Sequence, residues 1–360
     1  MNFPTSTHKG RWLLSEEELE TRRRRRYDKS VQDIERYGAA STSKGAGWVS
    51  MEEEKQLFSY YERMISKICV LFRMPRKILA ISIVYFKRFY LKFSILDYDP
   101  WTVMITCVYL ACKVENAYVS AEEIAKGVQR DARVVEKIVL GSEMNLLQGL
   151  DFDLVVHTPY ASLNGYLTEL KDYAQDHAGW DCDRAEDLVK ALGKKGNESI
   201  DALLFSDGPL IFAPGVLAYA ALEVGMKVHG KTKDVKALLD DYIGHLLKKS
   251  GMGRETLQES IRGIHRLGEI GSKGLIEEQR LKEIDRKLKM CRNPVYDPSS
   301  DQYKKQQAEK QKLKQQAKAN LKRSVAQDAR ALGMSSADED FFFPESNQES
   351  KRRRSKETAD

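Results

Sequence analysis

Apolar residues recur at helical spacing along most of the chain as far as Cys291. Leu57, Tyr61, Met64, Ile65, Ile68 and Phe72 follow at three- and four-residue steps, so one face of a helix carries them all. Ser50 to Glu53 in front has the form of a capping box, in which serine hydroxyl and glutamate carboxylate satisfy each other's free backbone donors. Pro75 and Pro100 each suit a first helical turn, where a missing N–H costs nothing. Behind them, Ile78 to Leu91 is apolar on more than one face, and Trp101 to Cys112 carries no charge at all. With Ala111 and two cysteines to allow close approach, the second run is expected to be the central helix. A short helix from Ser120 to Gly127 and a longer one from Arg133 to Leu150 complete a five-helix bundle.

The same plan recurs after Pro159. Asp183 to Phe205 reads as a long amphipathic helix and Pro209 to Met226 as a small-residue apolar one, with Pro214 to Leu222 standing where Pro100 to Cys112 stood. Further helical patterns cover Asp234 to Lys249, Glu255 to Leu267 and Leu275 to Cys291. A polar helix from Glu16 to Tyr37, opened by a second capping-box form at Ser15 to Glu18, precedes everything, and glycine-rich Gly38 to Gly47 reads as a linker. Period-two alternation is missing, so the expected fold class is all-α. The expected organisation is an N-terminal extension (1–49), a first repeat (50–158), a second repeat (159–274), and a C-terminal helix with a basic tail (275–360). Beyond Pro294 the chain turns to Lys, Gln, Ala and Ser, too polar to bury a core; Lys304 to Leu332 is expected to be helical when docked, and Ser335 to Asp360 disordered.

Composition narrows the function. The 360 residues are 42% hydrophobic, enough for about two domains. Five cysteines without a CxxC pair suggest neither zinc ribbon nor disulfide framework, hence a reduced, intracellular chain. No opening signal peptide is read, and no apolar run is long enough for a membrane span. The net charge is +6, with the basic residues clumped at Arg22 to Arg26, Lys304 to Lys322 and Lys351 to Lys356. Such flanking blocks suit solvated helices or targeting signals better than a nucleic-acid-reading face, and no direct nucleic-acid binding is expected. Lys351, Arg352, Arg353, Arg354 and Lys356 form a candidate nuclear import signal, and a nuclear location is expected.

Gly225 to Thr232 satisfies the phosphate-loop pattern GxxxxGK[ST], but an alanine-rich helix precedes it where a strand is required, so it is expected to be a helix-to-helix connection. The six histidines have no metal-ligand spacing, and no catalytic constellation, cofactor or metal site is expected. The informative residues are charges on apolar helices. Lys113 ends the charge-free run, and Glu143 lies among Val139, Leu140, Leu146 and Leu147. Composition alone favours two solvated helix-end charges.

Three landmarks shift that balance: Tyr85 to Tyr90 (YFKRFY), Leu110 to Glu115 (LACKVE) and Leu150 to Leu154 (LDFDL) resemble a cyclin box in order and approximate spacing. YFKRFYL, LACKV and Val156 to Tyr160 (VHTPY) are similar to the cyclin H branch in particular, as are Trp12 and the acidic, then arginine-rich helix after it; residues 10 to 292 carry the resemblance. The resemblance implies two five-helix cyclin-box repeats with helical extensions, and a non-catalytic subunit that binds and activates a cyclin-dependent kinase. It also implies a RING-type assembly factor as third subunit, and phosphorylation of kinase activation loops and RNA polymerase II C-terminal repeats within transcription factor IIH. Lys113 and Glu143 would then hydrogen-bond backbone carbonyls near the kinase C-helix, with Leu147, Phe152 and Leu154 packing on that helix. One departure stands out: the substrate-docking MRAIL patch of cell-cycle cyclins should fall near Leu57 to Tyr61, which reads LFSYY. The alternatives are a helical DNA-binding module resembling transcription factor IIB, against which the absent CxxC pairs count, and a phosphate-loop NTPase.

Overall fold

The computed structural model describes residues 2–37 and 48–331, apart from positions 118, 129, 252, 273–276 and 298. The linker Gly38 to Gly47 and the end from Ser335, with the basic run Lys351 to Lys356, lie outside the described residues. Every regular element among the described residues is helical. A 3-10 turn (Phe3–Thr5) and α1 (Thr7–Trp12) lead into α2 (Glu16–Tyr37). The first bundle is α3 (Met51–Leu71), α4 (Arg76–Lys92), α5 (Pro100–Val114), α6 (Ala121–Gly127) and α7 (Ala132–Gly149). The second is α8 (Pro159–Ala178), α9 (Cys182–Leu203), the single turn α10 (Gly208–Ile211), α11 (Pro214–His229), α12 (Lys233–Ser250) and α13 (Arg254–Ser272). Then come α14 (Glu278–Met290) and α15 (Asp301–Ala331).

Met1–Asp297 form one compact unit and Pro298–Asp360 another. A single core runs through both bundles of the first unit, so the repeats share one hydrophobic interior. In the second unit, Ser300 immediately precedes α15, its hydroxyl accepting from the Tyr303 N–H at 3.0 Å, and the helix leaves Leu313 and Leu321 exposed.

Local chemistry sets the helix ends. The box at Ser50 is complete: its Oγ accepts from the Glu53 N–H at 3.2 Å and its own N–H donates to Glu53 Oε2 at 3.0 Å. Glu53 also ties α14 down, taking Arg280 and Lys287 on its other oxygen, each at 2.7 Å. At Ser15 only half of the expected box forms, the serine accepting from the Glu18 N–H, because the Glu18 carboxylate is engaged by Arg22 one turn along. The expected helix Pro209 to Met226 is broken in two: Phe212 and Ala213 are extended ahead of Pro214, whose ring disfavours helix in the residue before it. Pattern reading also passed over α8, whose apolar face is supplied by Tyr160, Leu163, Leu167, Leu170, Tyr173 and Ala174.

The helix surrounded on all sides is α4 rather than the expected α5. Every residue from Ile78 to Leu91 is buried, with α2, α3, α5, α7 and α10 packed around it. Burial takes in Lys87 and Arg88, which look like surface charges in sequence. Lys87 meets Glu62 at 2.7 Å, and the comparable buried pair Arg26–Glu54 is bidentate at 2.7 and 3.2 Å. Pairing and hydrogen bonding offset the cost of burying Lys87 and Arg26, and the two pairs fix α2, α3 and α4 in register.

Candidate functional site

The site forms where the end of α5 meets the second half of α7. Asp131 caps α7, accepting from the Arg133 N–H at 2.9 Å and the Val134 N–H at 3.2 Å. The helix then buries Val135, Val139 and Leu146 against its own bundle. Gly149 permits the close approach, since a Cβ there would lie 2.4 Å from the Phe89 ring. A second apolar stripe on α7 is left uncovered: Leu140 is 57% exposed and Met144 54%, with half-buried Leu147 continuing the row.

Lys113 and Glu143 meet beside this stripe, Nζ to Oε1 at 2.5 Å. The ammonium also lies 5.6 Å from the Tyr109 ring centroid. The hydrogen bond to Glu143 raises the lysine pKa above its ordinary value, so the ammonium is charged at any physiological pH. Its side chain is 48% exposed and that of Glu143 18%, which leaves N–H donors of the ammonium available to a partner.

After Gly149 the backbone turns sharply. Asp151 and Phe152 both take left-handed φ, +53° and +59°, and the Phe152 N–H closes the turn onto the Leu147 carbonyl at 2.9 Å. The turn throws the Phe152 ring outward, 61% exposed. Leu154 goes the other way and packs half-buried on the core, its carbonyl taken by the Tyr85 hydroxyl at 2.6 Å. Of the five expected residues, the structure therefore brings Lys113, Glu143, Leu147 and Phe152 to one surface, and Leu154 supports it from beneath.

Sequence reasoning missed Met144, and it took Leu140 only as a neighbour of Glu143. The available signal was that α7 carries apolar residues on two faces, Val135, Val139 and Leu146 on one and Leu140, Met144 and Leu147 on the other. One bundle can cover only the first of these.

Other sequence candidates fall away. Gly225 to His229 is the last turn of α11, and Thr232 is the N-cap of α12, so no wrapped phosphate loop exists. Gly225 lies where a Cβ would come within 3.2 Å of the Leu192 carbonyl, which explains that glycine by helix packing. His157 donates its backbone N–H to His8 Nδ1 at 3.1 Å, a structural contact between the N-terminal segment and the junction of the bundles. In the LFSYY segment Leu57 is buried, and Phe58 packs 4.9 Å from the Tyr90 ring. Among the described residues no His, Cys, Asp and Glu side chains gather in threes as a metal site would need, and no helix is long and apolar enough to cross a membrane.

Comparison with known proteins gives a consistent result. The cyclin N-terminal domain family matches residues 51–155. The chain is 30% identical over 329 residues to Cyclin-H1-1 of Arabidopsis thaliana, covering 85% of this chain and 93% of the relative. It is 31% identical over 267 residues to Cyclin-H of Xenopus laevis, covering 70% and 78%. Among solved structures, a chain of the CAK complex of Chaetomium thermophilum bound to ATP-gamma-S has the same fold, with TM-score 0.67 and 20% identity, covering 86% of this chain and 94% of that one. A chain of the yeast TFIIK (Kin28/Ccl1/Tfb3) complex gives TM-score 0.56 at 21% identity, covering 74% and 100%.

Proposed function

This chain belongs to the cyclin family, in its cyclin H branch, and from that premise we propose that it is a regulatory, non-catalytic subunit that binds and activates a cyclin-dependent kinase. The observation that carries the reading is the Lys113–Glu143 pair, standing with donors free beside the uncovered stripe of Leu140 and Met144 and the outward ring of Phe152. Such a surface suits a partner helix with exposed carbonyls at its end. The apolar residues exclude water around the ammonium, which strengthens its hydrogen bonds to those carbonyls. Held there, the kinase C-helix is drawn inward, and the Lys–Glu ion pair that positions ATP can form.

Structural neighbours in CAK and TFIIK assemblies support a place in such a complex. Kinase activation loops and RNA polymerase II repeats are then the substrates of the pair, and a RING-type assembly factor is its third member. A nuclear location follows from that role and from the basic run Lys351 to Lys356. The test is to purify the full chain with its kinase and measure phosphorylation of an activation-loop peptide with and without it. Stimulation of at least about a hundredfold is expected, equivalent to about 2.7 kcal/mol in the barrier; a kinase equally active alone would sink the proposal. Deleting residues 351–360 from a chain unable to bind the kinase is expected to abolish nuclear accumulation, and undiminished accumulation would remove the import signal.

A further inference from the structure

Asp151 and Phe152 occupy the left-handed region without being glycine, and such residues stay there only where their surroundings over-determine them. Much of what holds the turn comes from far away in sequence. Asp153 Oδ2 receives the Arg11 guanidinium at 2.9 Å and the Trp12 indole N–H at 3.1 Å. Arg11 also lies 3.5 Å from Asp151. The Trp12 ring, 2% exposed, covers the Arg88 guanidinium at 4.9 Å, and Arg88 in turn donates to the Asp153 carbonyl at 3.3 Å. On its other side the segment is anchored to the second bundle, the Leu14 N–H donating to the Leu210 carbonyl at 2.8 Å.

We propose that the N-terminal segment is a positioning strap for the docking loop: Arg11 and Trp12, by holding Asp153, fix the turn that presents Phe152 to the kinase. The inference rests on the docking reading above and adds two residues to it that need not touch the kinase. Both donors converge on one carboxylate oxygen in the residue next to Phe152, so releasing them frees the turn to relax toward right-handed backbone. Phe152 then spends less time in the binding-competent orientation, and apparent affinity falls by that fraction.

The experiment uses the full chain and its purified kinase, with affinity measured by calorimetry and fold by circular dichroism and melting. Trp12→Phe removes the indole donor and keeps a ring over Arg88; Arg11→Ala removes an exposed donor; Asp153→Ala removes the acceptor. Each is expected to weaken kinase binding, the last by about tenfold, with the helical signal retained. The discriminating measurement is the same set in a Phe152→Ala background, where the strap variants should have no further effect because the residue they position is gone. If Phe152→Ala weakens binding but the strap variants do not, or if their effect persists without Phe152, the strap is refuted while the docking site stands. If Phe152→Ala itself changes nothing, Phe152 is no part of the docking surface and the strap is refuted, while the docking reading is decided separately by the Lys113 and Glu143 substitutions.

Discussion

Replacing Lys113 or Glu143 with alanine separates a docking pair from two surface charges. In the free subunit the pair is worth little, since the lysine side chain is 48% exposed and exposed pairs contribute about 0 to 1 kcal/mol. Helical content and melting temperature should therefore barely change. Covered by a kinase helix, the same two groups become an interfacial charge pair, and truncating one member of such a pair costs about 2 to 5 kcal/mol, partly because the other is left unpaired. At 1.4 kcal/mol per tenfold, that is about 30-fold or more in affinity. Because the 2.5 Å contact makes them one unit, the double substitution should cost far less than the sum of the singles. Calorimetric titration of the four variants against purified kinase measures all three terms. Additive losses of a few tenths of a kcal/mol would refute the docking role and leave two solvated charges on a cyclin fold.

Arg26→Met strands Glu54 in the core and should lower stability by about 3 to 5 kcal/mol in denaturant unfolding; a loss below about 1 kcal/mol would show that the pair is not buried in solution. Burial holds the His8 pKa down, to about 3 from 6.5, and its Nδ1 must be unprotonated to accept from His157. The folded state thus binds fewer protons than the unfolded one between those values, and stability present at neutral pH is lost as pH falls from 6.5 toward 3, by about 2 kcal/mol at pH 5. His8→Gln should flatten that slope, and an unchanged slope would mean another group causes it. Lys231→Ala should leave kinase stimulation intact and reveal no nucleotide binding to lose, because residues 225–229 are helix; ATP bound by the parent chain and lost on this substitution would contradict the structure.

Much of this molecule is written locally. The helical period, the box at Ser50 and the proline at 100 determine where several helices start and which residues share a face. Two apolar, small-residue helices at corresponding places disclose the repeat, and Lys113 and Glu143 stand out because charge is rare on the apolar faces that flank them. Periodicity says which residues share a face but not what covers it. Only the tertiary structure could bury Lys87 and Arg26, since a buried charge depends on a carboxylate 25 or 28 positions away in sequence. It alone decided that the face of Val135 and Val139 is covered while that of Leu140 and Met144 is not. The turn at Phe152 is the extreme case: no residue in LDFDL favours left-handed backbone as glycine does. Besides the local bond from the Phe152 N–H to the Leu147 carbonyl, it is held by Arg11 and Trp12, whose donors reach Asp153 across 142 and 141 residues of chain, a distance over which sequence pattern carries no information about contact.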